Sequence, residues 1–357
     1  MLRRARDGTC LEVLVNMAIP LCQRAQRECR RTRPGRPPCY QEWQIAALIM
    51  IAVLHRRKSK SSQWRFIAGH RQALCRRLAL KRLPARSVYF QRYRRAHELF
   101  QRAVLLQGRL ALRHGVADAT VAAADKSMIS ARGPTWRQTD RLRGIVPPGR
   151  RGVDRQAAWS YSPHDGWVYG YSFEVVVTAT PRSVVFPLLA SAGLASASEH
   201  QTLRAKLADL PAQTRYVLTD TGYDSNALGE QTEYLPQGRR SGRRYLCPPQ
   251  ARFGKPAVGR YPHRGRREQA RQRRAQRVAF YQSPRGQRLY AQRRQTVEPF
   301  NEWLKKLFEL QDQVWHRGQD NNRTQLLCSI FCYQLLVRYN HRLGRTNGQI
   351  QWILDAL

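Results

Sequence analysis

Apolar positions along this 357-residue chain follow two successive rhythms. Up to about residue 115 the rhythm is helical. The run from Trp43 to Leu54 is almost wholly apolar and predicts a buried helix. Leu83-Pro84 breaks the pattern, and Ser87 beyond it offers an N-cap. Tyr89, Tyr93, Ala96 and Phe100 then recur at helical spacing, with Arg92, Arg94, Arg95 and Arg102 between them. A shorter helix from about Gln72 to Leu80 precedes this one. The pair fits two arrangements, a helix-turn-helix or a helical bundle with a solvated basic face.

From residue 116 the rhythm changes to strands. Thr120 to Ala124 is small and apolar and ends at Asp125. Gln156 to Tyr161 and Trp167 to Thr178 follow, joined by Ser162-Pro163-His164-Asp165-Gly166, whose Asp-Gly pair favours a hairpin. A helical stretch from about Glu199 to Leu210 leads to a fourth strand, Arg215 to Thr219, ending at Asp220. Three antiparallel strands, a crossover helix and a further strand predict an α/β fold, a mixed sheet flanked by helices. Between residues 231 and 289, 16 Arg and Lys stand against two acids, Glu233 and Glu268, among many Pro and Gly. This stretch reads either as an insertion that grips a polyanion or as a basic loop. The chain is helical again from Gln287, and an apolar helix around Gln325 to Tyr339 is expected to pack on the sheet.

Charge narrows the function. The sequence holds 63 Lys and Arg against 24 Asp and Glu, a formal net charge of +39. Such an excess repels itself unless a polyanion is near, and nucleic acid is the usual one. Arg92 and Arg95 on the second helix of the N-terminal pair, and Arg264, Arg266, Arg267 and Arg271 in the basic stretch, are the candidate phosphate contacts. The eight cysteines are scattered without any Cys-x-x-Cys, which points to reduced thiols in a cytoplasmic setting and fits no zinc pattern. The longest apolar run, Ile45 to Leu54, is about half of what spans a bilayer, and no signal peptide is evident.

In a chain this short of acids, an aspartate ending a buried strand needs a reason. Asp125 and Asp220 occupy equivalent places after their strands, so adjacent strands would set them side by side. Singly, each is equally a turn former. Glu298 precedes Pro299, which is tolerated in a first turn, so a helix is expected to begin there, with Arg294 just outside it. Glu298, Glu302 and Lys305 share one face of it; an ordinary ion-paired surface face would look the same. Converging carboxylates are what metal-assisted phosphodiester cleavage needs, with two Mg²⁺ or Mn²⁺ ions as the usual partners. Asp118 is the nearest rival to Asp125. Asp140, Asp154, Asp165 and Asp224 read as turn or surface residues.

Together these segments resemble insertion-sequence transposases of the IS4/IS5 type. Tyr290, Arg294, Glu298 and Lys305 are similar to their Tyr-Arg-Glu-Lys signature, and Arg294-x3-Glu298-x6-Lys305 keeps its spacing. Leu218-Thr-Asp220-Thr-Gly-Tyr223 resembles the block around the second aspartate, and Ala124-Asp125-Lys126-Ser127 the first. The resemblance covers about residues 40–345. It implies an RNase H-like core, a triad of Asp125, Asp220 and Glu298 holding the metals, and phosphate contacts by Tyr290, Arg294 and Lys305. Two departures stand out. Tyr290 lies one residue too far from Arg294, while Arg293 corrects the first gap and spoils the second. Phe173-Glu174 stands where relatives often have histidine, and Glu174 either joins the acids or points away by strand alternation.

The expected organisation is a helical DNA-binding region at 1–115, a catalytic domain at 116–345 with the basic insertion at about 231–289, and a tail at 346–357. The expected activity is hydrolysis at transposon ends followed by strand transfer into target double-stranded DNA, in a nucleoid-associated bacterial homodimer. The competing readings are a non-catalytic DNA-binding protein and an RNase H-like nuclease without strand transfer.

Overall fold

The computed structural model describes residues 9–29, 39–163, 165–250, 264–345 and 348–357, without the side chains of Arg264, Arg266 and Arg267. The N-terminal region is helical as expected: α1 (Cys10–Cys29), α2 (Glu42–Leu54), α3 (Lys60–Gly69), α4 (Arg71–Arg77), α5 (Arg86–Tyr93) and α6 (His97–Arg113). Helix α2 is apolar on every side, and Gln44 to Leu54 are all buried. That is the signature of a helix enclosed by others. The single helix expected from Ser87 through Phe100 is instead two, α5 and α6, separated by a turn at 94–96. Ser87 lies inside α5, whose N-cap is Ala85.

Among the described residues the sheet has six strands: β1 (Val121–Ser130), β2 (Ala158–Ser162), β3 (Gly166–Thr178), β4 (Pro187–Leu194), β5 (Tyr216–Leu218) and β6 (Arg244–Leu246). The main path runs β2-β3-β1-β5-β6, with β4 also paired to β3. β3 is antiparallel to β1, β2 and β4, whereas β5 and β6 run parallel to β1. The sheet is therefore mixed, as the pattern predicted. The hairpin turn holds at Gly166, whose φ of 69° suits glycine; His164 lies outside the described residues.

Two strands are additions to the sequence reading. β4 begins with a proline, and β6 has only three residues among arginines. The supposed insertion at 231–289 thus contributes a sheet strand and a structural helix, α10 (Arg264–Gln282). A second helix, α9 (Asn226–Glu233), ends at its start. Residues 251–263 of that stretch lie outside the described residues. The arginines of α10 form struts to α9 and to the loop before it. Arg274 grips Asp224 at 2.7 and 2.6 Å, while Arg273 and Arg277 reach Glu230 at 2.6 and 3.1 Å. Asp224 is accordingly buried rather than a surface residue: burial works against its charge, but Arg274 and the Gln250 amide hold its carboxyl below the ordinary value.

Side chains alternate across the sheet with period two. Ala123, Ile129, Tyr171, Phe173, Val175, Leu218 and Leu246 face one core, shared with α1, α2, α6, α11 (Pro284–Leu307) and α12 (Gln319–Arg342). Ala122, Ala124, Val176, Val217 and Tyr245 face a second, under α8 (Glu199–Arg204) and α9, while the short α7 (Gln138–Leu142) precedes β2. Helix α12 packs on β4 as expected, and buried Gln334 joins it to α6 and β4 through the carbonyls of Val104 and Pro187 at 3.0 and 2.7 Å. Residues 351–355, within the expected tail, form a last helix. No helix among the described residues is long and apolar enough to cross a membrane.

Close packing of α6 on β4 depends on Gly108. A Cβ there would lie 2.8 Å from the Leu188 carbonyl oxygen and 3.1 Å from its Cα, both backbone atoms that cannot yield locally. Alanine favours helix by about 1 kcal/mol over glycine, but overpacking costs about 1–3 kcal/mol. Gly108→Ala is therefore expected to lower stability in chemical denaturation; a gain would show that the contact is loose.

Candidate active site

Asp125 lies in the middle of β1, not at a strand end, because the strand continues through Lys126 to Ser130. Its position relative to Asp220 is nevertheless the one the sequence suggested. The parallel register pairs Val121 with Tyr216 and Ala123 with Leu218. Carried two residues further, it sets Asp125 beside Asp220, which follows β5 and opens a 3-10 turn at Thr221–Tyr223.

Helix α11 brings the third acid. It begins fourteen residues before the expected start: Ser283 caps it, accepting from the Gly286 amide at 3.1 Å, and Pro284 occupies its first turn. Pro299 lies inside the helix, and so does Arg294. Packed on β1, α11 buries Arg293, Val297, Asn301 and Leu304.

One guanidinium ties the acids together. Arg293 donates from Nη2 to Asp125 Oδ1 at 2.7 Å and from Nη1 to Glu298 Oε1 at 2.9 Å, with Asp220 Oδ2 3.8 Å from Nη2. Asn301 Nδ2 donates to the other Asp125 oxygen at 2.8 Å. Side-chain exposure rises from 13% at Asp125 to 41% at Asp220 and 50% at Glu298, so the cluster has a floor and an open rim. Among the described residues, the Asp220 Oδ1 and Asn301 Oδ1 atoms are buried without a hydrogen-bond partner. Burial pushes the Asp125 carboxyl up to about 7; Arg293 pulls it down, and neighbouring Asp220 adds to the rise. Burial also works against the charge of Arg293, but Asp125 and Asp220 hold its pKa above the ordinary value.

The remaining expected site residues are distributed unevenly. Arg293, not Arg294, reaches the acids; Arg294 is exposed. Tyr290 is half-buried, edge-on to Tyr281 at 5.1 Å between ring centroids, and burial pushes its phenol up to about 12. Lys305 lies 3.6 Å from Glu302 and makes no ion pair with the three acids among the described residues. Arg92 is ion-paired with Glu42, whereas Arg95 and Arg271 are exposed. The side chains of Arg264, Arg266 and Arg267 lie outside the described residues. Glu174 pairs across the strands with Lys126 on the opposite face of the sheet, where it meets Lys206, Thr202 and Tyr223. Asp118 caps the turn before β1 through Thr120. Asp154 is buried, accepting from Tyr171 at 2.7 Å and from the Gly318 amide at 2.9 Å, and is no surface residue.

Sequence reasoning missed two neighbours of the cluster. Asn301 shares the buried face of Arg293 and Val297 at an offset of eight, but it is neutral, and a lone amide there carries no signal of a site. Glu199, at the start of α8, converges with Asp220 on the space that a Cβ of Gly222 would fill. Burial raises its carboxyl, and Asp220 raises it further.

The transposase DDE domain matches residues 114–335, a span that includes Asp125, Asp220 and Glu298. The chain belongs to the transposase DDE domain family. A solved structure described as a piggyBac transposase synaptic complex with hairpin DNA is similar at 9% identity and a TM-score of 0.38, over 99% of this chain and 80% of that one. No curated protein matches the chain. As a member of a DDE family, the protein is a transposase, and its family implies an enzyme that cleaves nucleic acid.

The raised Asp125 carboxyl makes the transposase pH-sensitive without ligands. Its folded value of about 7 lies above an unfolded value near 3.8, so the folded state holds the proton longer. The associated stability is present below pH ~4 and is lost as pH rises towards ~7. In metal-free buffer, wild type is expected to lose stability relative to Asp125→Asn over that window. Parallel denaturation curves at each pH would show the reverse.

Proposed function

We propose that this transposase hydrolyses phosphodiester bonds at the ends of an IS4/IS5-type insertion sequence and transfers the freed strands into target DNA by a cut-and-paste route. The observation that carries the reading is that Asp125, Asp220 and Glu298 all lie within ion-pair range of one guanidinium, that of Arg293. The strand order supports an RNase H-like core: β1, β3 and β4 are antiparallel, then β5 and β6 follow parallel to β1.

The donor set fits divalent cations. It consists of hard oxygens, carries two negative charges in excess of Arg293, and includes the unpartnered Asp220 Oδ1 and Asn301 Oδ1. Asp125, Asp220 and Glu298 would hold two Mg²⁺ or Mn²⁺, with Asn301 beside them. When bound, such ions activate the attacking oxygen and stabilise the leaving one. The chain itself fixes the geometry. Asp125 is clamped by Asn301 on the rigid sheet, and Asp220 and Glu298 form a rim that a DNA phosphate can approach. The net charge of +39 draws double-stranded DNA to that rim, and a homodimer would pair two ends.

Asp125→Ala, Asp220→Ala and Glu298→Ala are each expected to reduce Mg²⁺-dependent cleavage of end-bearing DNA by roughly 10³-fold, with binding retained in gel shifts. Wild-type protein that binds such DNA but never nicks it would instead make this a binding module. Cleavage without joining of pre-cut 3′-hydroxyl ends would make it a nuclease.

The arginines of α10 should divide by role. Neutralising exposed Arg271 is expected to flatten the salt dependence of DNA affinity by about one unit of slope per lost phosphate contact. Neutralising Arg274, which holds Asp224, should lower stability instead. Equal effects on slope and stability at both positions would contradict this division.

A further inference from the structure

We propose that Arg293 is a built-in counter-ion which divalent cations must displace, so that metal binding and release of this guanidinium are one event. This rests on the metal-binding reading of the three carboxylates. Among the described residues, Arg293 is the cation in ion-pair range of Asp125, Asp220 and Glu298, at 2.7, 3.8 and 2.9 Å. It lies where ions shared by those oxygens would sit. Consistently, no three His, Cys, Asp or Glu side chains among the described residues already close on a common point.

The fit of the guanidinium is incomplete in three places. Among the described residues, its Nε is buried without an acceptor, and Asp220 Oδ1 and Asn301 Oδ1 are buried without a donor. A planar fork satisfies carboxylates two at a time, whereas three acids approaching from two strands and a helix need a partner that binds in all directions. One positive charge also leaves the three acids undercompensated. Arg293 therefore keeps the centre foldable without metal while binding it less well than divalent ions do.

Burial makes the exchange mutually exclusive. The Arg293 side chain is 7% exposed, so an ion cannot enter beside it without bringing two positive charges against a third. The released side chain, on a helix at the rim, is then available to a phosphate oxygen, which a guanidinium grips in two-pronged fashion. Metal and DNA would thereby favour each other's binding, since each removes the other's competitor or supplies its partner.

The test is Mn²⁺ binding to metal-free protein without DNA, followed by calorimetry and electron paramagnetic resonance, in wild type, Arg293→Gln and Asp220→Ala. Competition predicts that Arg293→Gln binds Mn²⁺ about tenfold more tightly than wild type, and that Asp220→Ala loses the site. A purely structural Arg293 predicts the opposite sign, because its loss would loosen the cluster and weaken binding. Equal affinities in wild type and Arg293→Gln overturn the counter-ion and leave the metal reading standing. No Mn²⁺ uptake by either, with Asp220→Ala indistinguishable, overturns both. Should Arg293→Gln fail to fold, ¹⁵N spectra of wild type decide. The buried Arg293 Nε–H, assigned by its loss in Arg293→Lys, is expected to gain solvent exchange on adding Mg²⁺. An unchanged resonance at saturating Mg²⁺ overturns the proposal.

Discussion

A carboxylate inside a sheet is the constraint from which the rest of this site follows. Asp125 stands mid-strand, away from water, where an unpaired charge is costly enough that the group either takes up a proton or acquires a cation. The sheet offers no cation at that point, so one must come from another element. Helix α11 supplies it in Arg293 and adds Asn301 on the other oxygen. Placing α11 there also delivers Glu298. The same helix therefore compensates the buried acid and completes the acidic cluster.

The two faces of the sheet resolve the same problem differently. On one face Glu174 is closed in by Lys206, Thr202 and Tyr223, and both its oxygens are satisfied. That cluster is finished and holds α8 to β3. On the other face three acids share one guanidinium, and Asp220 keeps a buried oxygen with no partner. Saturated polar groups rigidify a core, whereas unsaturated ones mark where something else is to bind. Identical side-chain chemistry thus reads as scaffold on one side and as a working centre on the other.

Much of this was legible from residue order, and the gaps have physical causes. β1, β3 and β5 announced themselves through apolar runs, and the matching positions of Asp125 and Asp220 foretold a parallel register. β4 was hidden because it opens with Pro187 and continues through small residues that look like a loop. β6 was hidden by brevity and flanking arginines, of which Arg243 donates to the Leu210 carbonyl at 3.1 Å, a partner that only folding reveals. The start of α11 was misplaced because two prolines compete for it, and the serine before Pro284 is what settles the choice. The choice between Arg293 and Arg294 turns on helix rotation against β1, which one-dimensional spacing does not encode.

Alternation in β1 makes its reading frame a matter of sign. Asp125 faces the acidic cluster, and its neighbour Lys126 faces away, where its ammonium reaches the Ala197 carbonyl at 2.8 Å. Loss of a single codon between Val121 and Asp125 would draw Lys126 into the aspartate's place, since a one-residue slip turns every side chain of a strand over. The centre would then present an ammonium beside a guanidinium and become a trap for anions. A mobile element copied with that deletion would keep the chain's large positive charge, yet carry a heart of inverted polarity.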